Sequence, residues 1–163
     1  MEQLWAPWRI EYILKAGEGA CFLCQKPQQD DDESNLVLHR GKSNFVILNA
    51  YPYNPGHLMV VPYRHLGHLE DLTDDELREH FDIVKRSVKL LTEVLKPAAF
   101  NVGLNIGKIA GAGVDDHIHT HIVPRWQGDT NFMPIIANDK VLPEALAATY
   151  KKLKENVGNV LQS

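Results

Sequence analysis

At 163 residues the chain suits one compact domain that can bury a full core without disulfide or metal staples. Apolar residues at 44% and charged residues at 23% are ordinary globular values, and a formal charge of -4 excludes a broad basic face for duplex nucleic acid, so an anionic ligand has to be held locally. No apolar run approaches the roughly 20 residues that cross a membrane, and Met1-Glu2-Gln3-Leu4-Trp5 lacks the basic-then-apolar layout of a secretory leader, which predicts a soluble, cytoplasmic protein without a membrane partner.

Residues 1–20 mix aromatics with charges, with Pro7 placed to open a short helix, and predict an arm that packs, anchored by Trp5 and Trp8. Cys21-Phe22-Leu23-Cys24 follows. Two cysteines this close cannot staple a large loop, and in a reducing compartment they read as a metal half-site or a redox pair. The redox reading lacks its usual strand-helix context. The acidic stretch Gln28 to Asn35 has no apolar period and reads as a solvated loop.

Short apolar segments with turn signals between them come next: Leu36 to His39, Phe45 to Leu48, and His57 to Val61 after the turn Tyr53-Asn54-Pro55-Gly56. Thr73-Asp74-Asp75-Glu76 has the form of a helix cap, and Leu77, Phe81, Val84, Val88, Leu91 and Val94 recur at helical spacing until Pro97. Two more strands are predicted over Phe100 to Ile106 and His117 to Val123, and a C-terminal helix with a charged outer face lies within 136–163. The fold class is α+β: a five-stranded antiparallel sheet with one long amphipathic helix against it, in a single domain over 1–163.

His117-Ile118-His119-Thr120-His121-Ile122-Val123 carries the chemistry. On an extended strand the three imidazoles share one face while Ile118, Thr120 and Ile122 point into the core, and neighbouring histidines stand ~6.6 Å apart. One metal does not reach all three at that spacing, although His117 and His119 as a pair would suit a metal-dependent hydrolase. A neutral imidazole is also a good nucleophile near pH 7, with one ring nitrogen attacking phosphorus while a hydrogen bond at the other fixes the tautomer. The loop Gly107 to Gly113 lets backbone N–H groups approach a phosphate, or simply closes a hairpin. It is neither a P-loop nor a dinucleotide fingerprint, since it leads into a strand.

His117 to Trp126, read with Asn49 through His57, resembles the histidine-triad (HIT) family of nucleotide hydrolases and transferases, over about residues 20 to 135. Leu4-Trp5, Asn105-Ile106-Gly107 and Pro124-Arg125-Trp126 with Gly128 to Phe132 are similar to the branch of diadenosine tetraphosphate phosphorylases and Fhit-like hydrolases. The resemblance implies a two-step transfer: His119 takes a nucleotidyl group from the α-phosphate, and water or phosphate then releases it. It implies that His121 assists the leaving group and that His57 and His117 support the site. Asn49 matches the ribose side, and Asn105 with Gly111, Ala112 and Gly113 matches the phosphate-contacting strand end and loop. Trp126 stacks on a base or on the neighbouring subunit, or serves plain packing.

The resemblance also implies a small-molecule nucleotide substrate, no cofactor for catalysis, and a homodimer, for which the apolar face of the Thr73 to Lys96 helix is available unless the sheet uses it. Thr120 replaces a large apolar residue common between the second and third histidines. Asp115 and Asp116 place carboxylates near an anionic substrate, at a Coulomb cost unless they face away or pair. Some HIT proteins bind structural zinc through a cysteine pair and two histidines, and the matching set here is Cys21, Cys24, His65 and His117, set against two ordinary thiols. A nucleotide-binding module with little turnover is the remaining alternative.

Overall fold

Five short strands build one antiparallel sheet in the order β1-β2-β3-β5-β4. The strands are β1 (Val37–Arg40), β2 (Asn44–Leu48), β3 (Leu58–Pro62), β4 (Ala99–Leu104) and β5 (Thr120–Arg125). The computed structural model describes residues 21–110, 114, 116–129 and 144–161. The expected arm over 1–20 with Trp5 and Trp8, the loop residues Gly111, Ala112 and Gly113, Asp115, and positions 136–143 of the expected C-terminal segment lie outside them.

Both faces of β2 and β3 are covered, so every residue of the two strands is buried. Period-2 alternation divides them between two cores. Val46, Leu48, Leu58 and Val60 pack with Ile83, Leu90 and Leu91 of helix α3 (Asp74–Leu95) and with Tyr150, Leu153 and Val157 of helix α4 (Leu146–Val160). Phe45, Ile47, Met59 and Val61 face the other way, onto Leu23 and Val37, with Cys21, Phe22, Tyr63 and Val114 at the margin. Leu23 belongs to the one-turn helix α1 (Phe22–Gln25), so the cysteine pair is brought to the sheet by a core leucine between its members. The acidic stretch is not wholly loop: Asp31 caps the one-turn helix α2 (Asp32–Asn35) by accepting from the Ser34 amide.

Helix α3 starts where its cap signal predicts, with Thr73 and Glu76 exchanging capping hydrogen bonds. Its buried stripe differs from the expected one. His80, Ile83, Val84, Ser87, Leu90 and Leu91 face the sheet, while Phe81 is 45% exposed. Two polar residues occupy the centre of the stripe, so a reading by apolar residues alone is turned by about one position, or ~100°. Helix α4 buries Tyr150, Leu153 and Val157 and exposes Lys151, Lys152, Lys154 and Glu155. No helix among the described residues is long and apolar enough to cross a membrane.

His80 links a buried polar chain between α3, β2 and β5. Asn44 Nδ2 donates to the Glu79 carboxylate at 2.9 Å and to the Glu76 carbonyl at 3.2 Å, which turns its Oδ1 toward His80 Nδ1 at 2.8 Å. His80 Nδ1 therefore carries the proton, and Nε2 accepts from the Thr120 hydroxyl at 2.7 Å. Burial holds the His80 imidazole well below its ordinary value, at about 4, against the pull of Glu79.

Between pH 6.5 and about 4 the unfolded chain binds a proton at this residue that the folded chain does not. Its contribution to stability is therefore complete above pH 6.5 and lost as the pH falls toward 4. Denaturant unfolding at pH 7.5 and pH 4.5 should show the wild type losing about 2–3 kcal/mol more than His80→Gln, which does not titrate. An equal loss in the two proteins would show that His80 is not held neutral.

Candidate active site

The turn between β2 and β3 delivers His57 into the sheet completely buried. The His57 amide donates to the Asn54 carbonyl at 3.1 Å, the Asn49 amide donates to the His57 carbonyl at 2.9 Å, and Gly56 closes the turn at a φ of 75°. Tyr53 stacks on the His57 ring with centroids 5.1 Å apart and donates its amide to His57 Nδ1 at 3.1 Å. An amide N–H only donates, so Nδ1 is an acceptor and the His57 proton sits on Nε2. Nε2 lies 2.9 Å from His121 Nδ1 and donates to it, which leaves His121 with its proton on Nε2. Asn49 reinforces the same tautomer: its Oδ1 accepts from the Tyr51 amide at 2.9 Å, and its Nδ2 is directed to His57 Nδ1 at 3.3 Å.

His119 is oriented by a backbone carbonyl. Its Nδ1 lies 2.9 Å from the His117 oxygen, which can only accept, so Nδ1 bears the proton and Nε2 the lone pair. The His119 and His121 rings meet edge to face with centroids 4.7 Å apart. One imidazole with its lone pair on Nε2 and one with its proton on Nε2 are thus side by side, the first set directly by a backbone carbonyl and the second through the His57 ring, itself set by a backbone amide.

The three histidines do not line one extended strand as their spacing suggests. Regular pairing begins at Thr120, and His117 lies at a bend outside β5. Three hydrogen bonds replace the ladder there: the Ile118 amide to the Leu66 carbonyl at 2.6 Å, His117 Nε2 to the Pro62 carbonyl at 2.9 Å, and His119 Nδ1 to His117 itself. The bend turns His117 away from His119 and His121 toward the cysteines.

His117 Nδ1 lies 3.3 Å from Cys21 Sγ and 3.4 Å from Cys24 Sγ, and His65 Nδ1 lies 3.2 Å from Cys24 Sγ. The four ligand atoms all fall within 4.8 Å of one another. A tetrahedral zinc with its usual sulfur and nitrogen bond lengths separates its ligands by about 3.3–3.8 Å, so two thiols and two imidazoles here fit that ion with little adjustment. Burial, then the neighbouring Cys21, pushes the Cys24 thiol up to about 11, and burial lowers the His117 imidazole, keeping it in the neutral form that a metal takes. His65 Nε2 is 3.2 Å from Asp116 Oδ2. Asp116 therefore pairs beside the cluster.

Asn105 is half-buried directly beyond the end of β4, whose Leu104 pairs with Thr120. Gly107 takes a φ of 79° ahead of a 3-10 turn over Lys108–Ala110. Trp126 is half-buried beyond β5, and its amide donates to Asp129 Oδ2 at 3.1 Å. Sequence reasoning missed the brace formed there. Buried Asn54 donates to the Pro124 carbonyl at 2.9 Å and to Asp129 at 2.7 Å, and Arg125 closes a two-point pair on Asp129 at 2.6 and 2.9 Å. It ties the His57 turn to the end of β5. Arg125 and Asp129 at i,i+4 were the only hint in the sequence.

The HIT domain family matches residues 30–128, and the chain belongs to that family. It is 43% identical over 162 residues to a protein of Mycobacterium tuberculosis named AP-4-A phosphorylase, covering 94% of this chain and 83% of that one. It is 34% identical over 124 residues to the asymmetrical bis(5'-nucleosyl)-tetraphosphatase of Schizosaccharomyces pombe, across 76% of this chain and 60% of that protein. The fold also matches the crystal structure of a zinc-bound histidine triad family protein from Mycobacterium smegmatis, with a TM-score of 0.69 at 22% identity over 88% of this chain and 96% of that one.

A Cβ at Gly56 would stand 2.4 Å from Leu95 Cδ1, and the positive φ disfavours any side chain. Gly56→Ala should therefore cost about 1–3 kcal/mol of stability, measured by denaturant unfolding. A neutral outcome would show that the turn delivering His57 has room to shift.

Proposed function

We propose that this protein cleaves dinucleoside polyphosphates, diadenosine tetraphosphate among them, through a nucleotidyl group held on His119. The observation that carries the reading is the matched pair of tautomers, a lone pair on His119 Nε2 beside a proton on His121 Nε2. His119 Nε2 attacks the α-phosphorus and forms a P–N bond as the P–O bond to the leaving polyphosphate breaks. His121 donates a hydrogen bond from Nε2 to that oxygen and stabilises the negative charge with which the polyphosphate departs, while His57 holds His121 in the tautomer that can do so. The His117 carbonyl holds the Nδ1 proton of His119 and stabilises the positive charge that its ring acquires. Water or phosphate then attacks the same phosphorus, and the P–N bond breaks.

In this reading Asn49 lies on the ribose side, Asn105 with Gly111, Ala112 and Gly113 cradles the phosphates, and Trp126 borders the base. Likeness to the M. tuberculosis phosphorylase supports phosphate as the second acceptor. The metal-dependent alternative is disfavoured because both ring nitrogens of His117 are directed elsewhere, to the cysteine cluster and to Pro62. Cys21, Cys24, His65 and His117 would hold a zinc ion, which supplies a structural clamp for the bend before β5 and takes no part in the transfer. The protein acts as a homodimer; β4, an edge strand with Val102 47% exposed, supports a partner on that side. Its place of action is the cytoplasm, where Cys21 and Cys24 stay reduced.

Diadenosine tetraphosphate incubated in chelator should yield ADP and ATP when phosphate is present, and His119→Ala should lower the rate by roughly a thousandfold or more. AMP and ATP from water alone would make the protein a hydrolase. Undiminished cleavage by the variant would sink the mechanism, and tight binding without turnover would make the protein a binding module.

Zinc analysis of the purified protein should find near-stoichiometric metal that Cys24→Ser removes together with several degrees of thermal stability. Metal-free wild type of unchanged melting temperature would leave the cluster as ordinary thiols.

A further inference from the structure

We propose that His80 and Thr120 are positioning residues for the transfer: the Thr120 hydroxyl, donating to the buried His80 imidazole, sets the rotation of the chain at the start of β5 so that His119 and His121 act together. The inference rests on the reading that these two histidines carry the reaction.

Thr120 stands between them, at the residue where the bend holding His117 and His119 becomes the strand holding His121. Its backbone is paired on both sides, to Val60 of β3 and Leu104 of β4, while its side chain reaches the helix face. An apolar residue at this position would fill the same space and leave its rotation to packing. The hydroxyl adds a direction, because His80 Nε2 accepts at 2.7 Å and is itself held by Asn44 and Glu79 in one tautomer. Thr120 and His80 are both completely buried. A leucine at position 80 would pack against the sheet without desolvating an imidazole, so packing alone gives no reason for histidine there. The line from Glu79 through Asn44 and His80 to Thr120 instead anchors the strand start to α3 and to the first residue of β2 by hydrogen bonds, which fix angle as well as distance. Displacement of a reacting group by about 1 Å can cost a hundredfold in rate, so orientation at residue 120 reaches the chemistry.

The test uses three variants of the full chain: Thr120→Val, which keeps the volume and removes the hydroxyl, Thr120→Ser, which restores it, and the double variant His80→Leu with Thr120→Val, which replaces the polar pair by apolar packing. Thr120→Val should lower kcat on diadenosine tetraphosphate about tenfold with KM within about twofold, and Thr120→Ser should return kcat to within about threefold of wild type. The double variant should regain the melting temperature without regaining kcat. A kcat for Thr120→Val within about twofold of wild type, or a double variant that recovers rate and melting temperature together, would reduce the pair to packing and overturn the proposal. If the wild type turned over no dinucleoside polyphosphate, the proposed activity would fail by itself. Nitrogen-detected NMR of the histidine rings still judges the pair in that case: His119 and His121 signals that shift in Thr120→Val support it, and unmoved signals overturn it.

Discussion

The carbonyl oxygen of His117 constrains the site more than any other atom. In a regular strand it would accept from a neighbouring strand; here it accepts from His119 Nδ1, three bonds beyond the next peptide, and the chain has to bend to allow it. The bend is held from the other end as well, because the His117 ring donates to Pro62 at the close of β3 and faces the cysteines of the α1 segment. One peptide unit thus joins a cluster suited to metal on one side to an oriented imidazole on the other.

A second line reaches the site from the β2–β3 turn, and it obeys the same logic. The Tyr53 amide can only donate, as the His117 carbonyl can only accept, so the tautomers of His57 and His119 are each set by a backbone group that does not titrate, and His57 passes the setting on to His121. This second line rests on a turn geometry secured at a distance, through the Asn54 and Arg125 contacts with Asp129. The polar network is accordingly spread over several loops and strands, and no single segment contains it.

Behind the sheet the helix face contributes direction and not only cover. Most of α3 packs through Ile83, Leu90 and Leu91, yet the centre of its stripe is given to His80, whose imidazole is kept neutral by burial and used on both nitrogens. Neutral, fully hydrogen-bonded groups avoid the large cost of a buried charge while keeping angular preference.

Much of the fold was legible because its elements obey short-range rules. The Thr73–Glu76 cap, the period-2 strands and the Asn-Pro-Gly turn are local, and they yielded a five-stranded antiparallel sheet with a long helix, each boundary within a few residues. The residue types at His57, His117, His119, His121, Asn49, Cys21, Cys24 and His65 were likewise visible as motifs. What the tertiary structure decided was their division into groups. Period-2 parity assumes a continuous ladder, so it put His117 beside His119; hydrogen bonds to Leu66 and Pro62, some fifty residues away in sequence, broke the ladder and turned His117 to the cysteines. Apolar periodicity assumes an apolar stripe, so it put Phe81 in the core and passed over His80, whose burial depends on partners in β2 and β5. Local pattern determines which elements form, because it acts through neighbouring residues; tautomer, rotation and partner depend on contacts between segments far apart in the chain, and only the assembled sheet supplies them.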